Sequence, residues 1–251
     1  YGRTERLFVK RYEEETNLRC QIVIDTSSSM FFPVRRQNNL EYPNKLIFSA
    51  YSAASLAELM RRQRDAVGLV LFDDDIVLQT EAKNSNVHIN MIYNHLDKLL
   101  SPFDGKLRKN TDAASCLHKI AETTHKRSLV IVFSDMLDNV SDYDRIFAAL
   151  EHLRYNKHEV ILFHVSDGPK ENNLDFENRP FRFIDLESGD TIKLNPSEVK
   201  AKYADIMKSK NEELLRHCYQ YQIDYVNADI NSLYDQVLTA YLLKREKLYK
   251  S

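Results

Sequence analysis

The sequence predicts an α/β fold built on a doubly wound, mostly parallel sheet covered by helices on both faces. Three observations lead there. Short apolar runs rich in β-branched residues lack the polar alternation of a half-exposed sheet, as expected for strands buried on both sides. Stretches with helical spacing stand between them, and that alternation is the signature of parallel βαβ construction. The length of 251 residues suits one large α/β domain better than two small ones.

Taken in order, "CQIVID" (20–25) is the first strand. "YPNKLIFSAYSAASLAELMRRQR" (42–64) follows as a helix, with Pro43 near its start and Arg61, Arg62 and Arg64 at its end, where the macrodipole favours cations. "AVGLVLFD" (66–73) and "SLVIVFSD" (128–135) are the next buried strands, then "EVILFHVSD" (159–167) and "IDYVNA" (223–228). Helices are expected over 85–99, 112–126, 141–155, 197–219 and 231–247. The stretch 176–194 breaks this rhythm: period-two alternation on both sides of "ESGD" predicts a β-hairpin inserted after the "EVILFHVSD" strand.

Composition narrows the function. The 35 basic residues against 37 acidic ones give a formal charge of -2, so no global field recruits nucleic acid or an anionic membrane. Cys20, Cys116 and Cys218 are far apart and without CxxC spacing, which speaks against a disulfide framework or zinc site and for a reducing, cytoplasmic compartment. No apolar stretch approaches the roughly 18 residues that span a bilayer, so no membrane contact is expected within this chain. With only five glycines there is no GxGxxG or GxxxxGK[ST] loop to cradle a phosphate.

In an open parallel sheet, ligands bind beyond the carboxyl ends of the strands, where the strand order reverses. The first strand ends in Asp25, followed by Ser27 and Ser29; "SLVIVFSD" ends in Ser134 and Asp135. Two carboxylates with neutral hydroxyls are an oxygen-only set, suited to a hard divalent cation such as Mg²⁺. A threonine from a third loop would complete it, and "RKNTDAAS" (108–115) offers Thr111. Bland accounts exist for each part: a polar strand exit with Ser29 capping a short turn, an aspartate at Asp135 that caps a helix or faces solvent, and Thr111 as the N-cap of the 112–126 helix. "FDDDI" (72–76) is better read as a solvated hairpin turn than as a calcium site, because adjacent strand residues point to opposite faces. His88 and His95 read as surface residues, with no further ligand at metal spacing.

The D-x-S-x-S motif, the mid-domain threonine and the terminal "SD" together resemble the metal-ion-dependent adhesion site of von Willebrand factor A domains, with Asp25, Ser27, Ser29, Thr111 and Asp135 as the matching residues. "RLFVKRYEEETNLRCQIVIDTSSSM", "DAVGLVLFDDDI", "RSLVIVFSDM" and "QIDYVNADINSLYDQVLTAYLLKRE" are similar to the bacterial von Willebrand A-like family catalogued as domain of unknown function fifty-eight. The resemblance runs over essentially all of 1–251 as a single domain, with 176–194 as its inserted hairpin. The family segment usual upstream of "RTERLFVKRYEEE" is missing here, and a membrane anchor in such a segment is compatible with everything above. One departure is that "KLRKN" replaces the glycine-rich turn common before the threonine.

The resemblance implies a non-enzymatic, metal-dependent protein-binding module. Mg²⁺, with Mn²⁺ or Ca²⁺ as alternatives, would be completed by an acidic residue of a partner, and the family implies a MoxR-type AAA+ ATPase in a chaperone-like or assembly role. Two other functions stay open. One is a Mg²⁺-dependent phosphatase-like hydrolase using Asp25 as nucleophile, although Ser27 stands where such enzymes need a second aspartate. The other is a scaffold with a vestigial metal site.

Overall fold

In the computed structural model, residues 18–34, 41–101, 112–136, 143–186, 189–235, 238–239 and 242 are described. Eight strands are found among them: β1 (Arg19–Asp25), β2 (Ala66–Phe72), β3 (Ile76–Gln79), β4 (Leu129–Ser134), β5 (Glu159–Ser166), β6 (Phe181–Ile184), β7 (Thr191–Leu194) and β8 (Asp224–Asp229). The helices are α1 (Lys45–Arg62), α2 (Asn86–Lys98), α3 (Ala113–Thr123), α4 (Tyr143–Tyr155) and α5 (Pro196–Gln220). Each expected element over these residues is present, with ends displaced by a few residues.

Six strands form one sheet in the order β3-β2-β1-β4-β5-β8. The pairs β1·β2, β1·β4, β4·β5 and β5·β8 are parallel, and only the edge hairpin β2·β3 is antiparallel. From β1 the chain first builds outward through β2 and β3, then returns to place β4 on the other side of β1. The order therefore reverses between β1 and β4, which is where such sheets open a crevice.

Alternation within strands divides the core between two faces. Ile22, Ile24, Leu69, Leu71, Ile131 and Phe133 pack with Leu46, Leu56 and Met60 of α1 and with Ile89 and Ile92 of α2. Val23, Val70, Val130, Val132 and Leu162 meet Leu117 and Ile120 of α3, Ile146 and Leu150 of α4, and Leu214 of α5. Both sides are covered, which is why the central strands carry no polar alternation.

Local chemistry fixes the ends. The Asn44 side chain caps α1 by accepting from the Ile47 amide at 2.8 Å. Arg64 lies beyond α1 at φ 62° and ends it, so it is not a last-turn cation like Arg61 and Arg62. The hairpin at 176–194 forms a separate two-stranded antiparallel sheet, β6·β7; Gly189 at φ 76° turns the chain into β7. Of the expected 231–247 helix, Asn231, Ser232 and Leu233 are a turn rather than helix, Tyr234, Asp235, Leu238, Thr239 and Leu242 are helical, and the other positions lie outside the described residues.

Candidate metal centre at the reversal point

β1 delivers Asp25 to the crevice with 2% of its surface exposed. Its two oxygens are held separately: Oδ1 accepts from the Ser27 amide at 2.9 Å, and Oδ2 accepts from the Ser134 hydroxyl at 2.7 Å. Ser134 sits at the end of β4 and its Oγ accepts in turn from the Met136 amide at 3.0 Å, which fixes the direction of its proton toward Asp25. Met136 itself turns the chain at φ 50° just past Asp135; a non-glycine residue there is backbone strain located at the site.

After Asp25 the chain enters one turn of 3₁₀ helix, Ser28–Phe31. Thr26 is tied back to β2, its amide and its hydroxyl both donating to the Phe72 carbonyl at 2.7 and 2.9 Å. Ser27 and Ser29 are left facing one another, with their Oγ atoms 2.9 Å apart. Thr26 thus shapes the loop, while the Ser27 and Ser29 hydroxyls face each other. Ser27 is buried and Ser29 half-buried, so Ser29 is the member nearest solvent.

Asp135 is 3% exposed and lies close enough to Asp25 for the two charges to repel. Burial first, and then the Asp135 carboxylate, push Asp25 up to about 6, against the hydrogen bonds from Ser27 and Ser134 that favour ionisation. The backbone of Asp135 is held by His164: its carbonyl accepts from Nε2 at 3.0 Å, while Nδ1 accepts from the Tyr225 hydroxyl at 2.8 Å. A carbonyl only accepts, so the proton is on Nε2. Burial lowers the His164 pKa, keeping the ring neutral.

Sequence reasoning missed Lys45. It is the first residue of α1 and fully buried. Its Nζ donates to Asp135 Oδ2 at 2.6 Å and to Glu171 Oε1 at 2.5 Å. Burial alone would lower its pKa, but the Asp135 and Glu171 charges outweigh that and hold the ammonium well above its usual range. Glu171 belongs to the π-helical turn Gly168–Asn172 that follows β5, and its Oε2 accepts from the Asp167 amide at 2.6 Å. A signal existed: 45, 49, 52, 53, 56 and 60 form the buried stripe of α1, and a lysine on such a stripe demands a buried counter-charge.

The structure brings together Asp25, Ser27, Ser29 and Asp135. Thr111 lies outside the described residues. Its neighbour Asp112 is the N-cap of α3, accepting from the Ser115 amide at 3.1 Å, so the cap that could have explained Thr111 belongs to the next residue. The Asp73–Asp75 run is the β2–β3 turn, with Asp75 paired to Lys119 at 2.7 Å. His88 is a correction: only 8% exposed, it places Nε2 2.9 Å from the Val67 carbonyl, because the start of α2 packs on β2. Cys20, Cys116 and Cys218 are buried and form no disulfide.

The donor set fits a hard dication. It consists of oxygen alone, and adjacent corners of an octahedron with bonds of about 2.0–2.1 Å lie about 3 Å apart, close to the observed Ser27–Ser29 spacing. Among the described residues no group of three or more His, Cys, Asp or Glu side chains gathers for metal; the site has two carboxylates and supplements them with hydroxyls.

A sheet of this order, with helices on both faces and an inserted hairpin, is an α/β protein of the von Willebrand factor A, Rossmann-like kind. The family model described as "Protein of unknown function DUF58" matches residues 2–213, and the chain belongs to that family. Among curated proteins none matches it in sequence. Its fold is similar to the conserved hypothetical protein BatB from Bacteroides thetaiotaomicron, at 15% identity and TM-score 0.57 over 93% of this chain and 100% of that one. It is also similar to an aerotolerance-related membrane protein from Bacteroides fragilis NCTC 9343, at 15% identity and TM-score 0.53 over 88% and 97%. Among the described residues no helix is long and apolar enough to cross a membrane.

Proposed function

We propose that this protein is a non-enzymatic binding module in which Mg²⁺, or Mn²⁺ or Ca²⁺ in its place, recruits an acidic residue of a protein partner. The reading rests on one observation: Asp25, Ser27, Ser29 and Asp135 converge from β1, its loop and the end of β4 at the reversal point, with the Ser27 and Ser29 hydroxyl oxygens 2.9 Å apart. Asp25, Ser27, Ser29, Thr111 and Asp135 would hold the ion, directly or through water. The ion would supply an electrophilic centre for a carboxylate. The protein's part is to hold Asp25 rigidly through Ser134 and the Ser27 amide, and to exclude water by burying Asp25, Ser27 and Asp135.

Family membership favours a MoxR-type AAA+ ATPase as partner, in a chaperone-like or assembly role. The three buried cysteines, none of them in a disulfide, fit a cytoplasmic setting. Hydrolysis is disfavoured because the residue two after Asp25 is Ser27, whose hydroxyl meets Ser29 and offers no general acid.

The test is binding of a purified MoxR-type ATPase in Mg²⁺ and in EDTA, with the wild type and Asp25→Ala. Binding should require the metal and be lost in the variant. Binding indifferent to both chelation and Asp25→Ala would overturn the proposal.

A further inference from the structure

Resting on that reading of the site, we infer that Lys45 is a resident counter-cation that trades metal affinity for affinity toward an incoming carboxylate, with Glu171 setting how far the trade goes. The starting observation is that this ammonium is placed against every ordinary preference. It is fully buried, and it occupies the first position of α1, where the helix dipole repels cations. Two carboxylates hold it there at 2.6 and 2.5 Å. One of them, Asp135, belongs to the candidate centre.

Asp25 and Asp135 by themselves would neutralise a dication, leaving it little attraction for a third carboxylate. An ammonium on Asp135 returns one positive charge to the centre. In a buried site of low effective dielectric that charge is felt strongly by any ion bound alongside. The bare ion is therefore held more loosely, and the loaded centre keeps a positive charge that a partner's Asp or Glu completes. Ion and partner then depend on each other for retention, as suits a reversible docking point.

Glu171 gives this arrangement its setting. It takes the far side of the ammonium while its second oxygen is anchored on the Asp167 amide. Its negative charge offsets part of the Lys45 charge, so removing it leaves the ammonium at full effect on the centre. Lys45 and Glu171 are positioning and tuning residues, and they act on the ion with opposite sign.

Calorimetric titration with Mg²⁺ of the wild type, Lys45→Met, Glu171→Gln and Asp25→Ala tests this. Lys45→Met should bind Mg²⁺ at least tenfold more tightly, and Glu171→Gln several-fold more weakly. Acetate added to the Mg²⁺-loaded proteins should show the reverse order, binding Lys45→Met more weakly than wild type and Glu171→Gln more strongly. A merely structural role would weaken Mg²⁺ binding in both variants. If Lys45→Met fails to fold, Glu171→Gln still decides, because it keeps the Lys45–Asp135 pair: weaker Mg²⁺ binding together with stronger acetate binding supports the inference, and unchanged or tighter Mg²⁺ binding, or acetate binding no stronger than in the wild type, overturns it. Binding lost in Asp25→Ala but unaltered in the other two also overturns it and leaves the metal reading standing. Absence of binding in every variant, wild type included, overturns both.

Discussion

Two acidic clusters lie at the same end of this sheet, at the carboxyl ends of its strands, and have opposite characters. Asp73, Asp74 and Asp75 are consecutive in the β2–β3 turn, and Asp75 makes an exposed pair with Lys119, the side chains being 69% and 53% accessible. Asp25 and Asp135 are 110 positions apart in the sequence, yet both are nearly buried and repel each other across the reversal point. Density of carboxylates along the chain makes no site; convergence from two parallel strands does. The turn dissipates its charge into water, whereas the crevice must balance its charge internally, with Lys45, Ser134 and the Ser27 amide.

The largest expected difference between the two regions is in stability. Lys45→Ala leaves the buried Asp135 and the half-buried Glu171 without their shared cation, and breaking a buried ion pair from one side costs about 3–5 kcal/mol. Urea unfolding followed by circular dichroism should report a loss of that size. A loss no larger than that of an exposed lysine variant would mean that water enters the crevice and the comparison with the turn fails.

Next in size is Ser134→Ala. The change removes the donor to Asp25 Oδ2 and the acceptor of the Met136 amide. Hydrogen bonds to charged groups contribute about 1.5–3 kcal/mol, so unfolding should show a loss in that range. Mg²⁺ binding should weaken as well, since Asp25 is no longer held in place. Threonine at 134 keeps the hydroxyl and should restore most of both. If alanine leaves Mg²⁺ affinity untouched, Asp25 is positioned by its own loop alone.

The division between what could be read beforehand and what could not follows physical range. The strands, their burial on both faces and the hairpin were legible because periodicity is local: "SLVIVFSD" has to be a covered strand wherever it sits. Asp25 and Asp135 were legible as carboxylates at strand ends, but that their two strands flank the reversal point is set by the strand order, which the structure supplies. Lys45 and Glu171 were not, because their pairing joins a helix start to a turn 126 residues later, and no spacing rule spans that distance. His88 was misjudged for a related reason: a histidine near a helix start looks solvent-exposed until the helix is docked on β2. Even so, a lysine in line with Ala53, Leu56 and Met60 on one side of α1 was a signal that went unread.

The smallest effect expected is also the sharpest control. Asp75→Ala removes one carboxylate of three in the turn and its contact with Lys119, an exposed pair of the kind that contributes little. The midpoint of urea unfolding should stay within error of the wild type, and the Mg²⁺ isotherm should superimpose on it. Asp25→Ala, by contrast, should abolish that isotherm. If Asp75→Ala instead weakens Mg²⁺ binding, the ion is held in the turn, and the contrast drawn between the two clusters is reversed: proximity along the chain, rather than convergence at the ends of β1 and β4, would then be what gathers the oxygens.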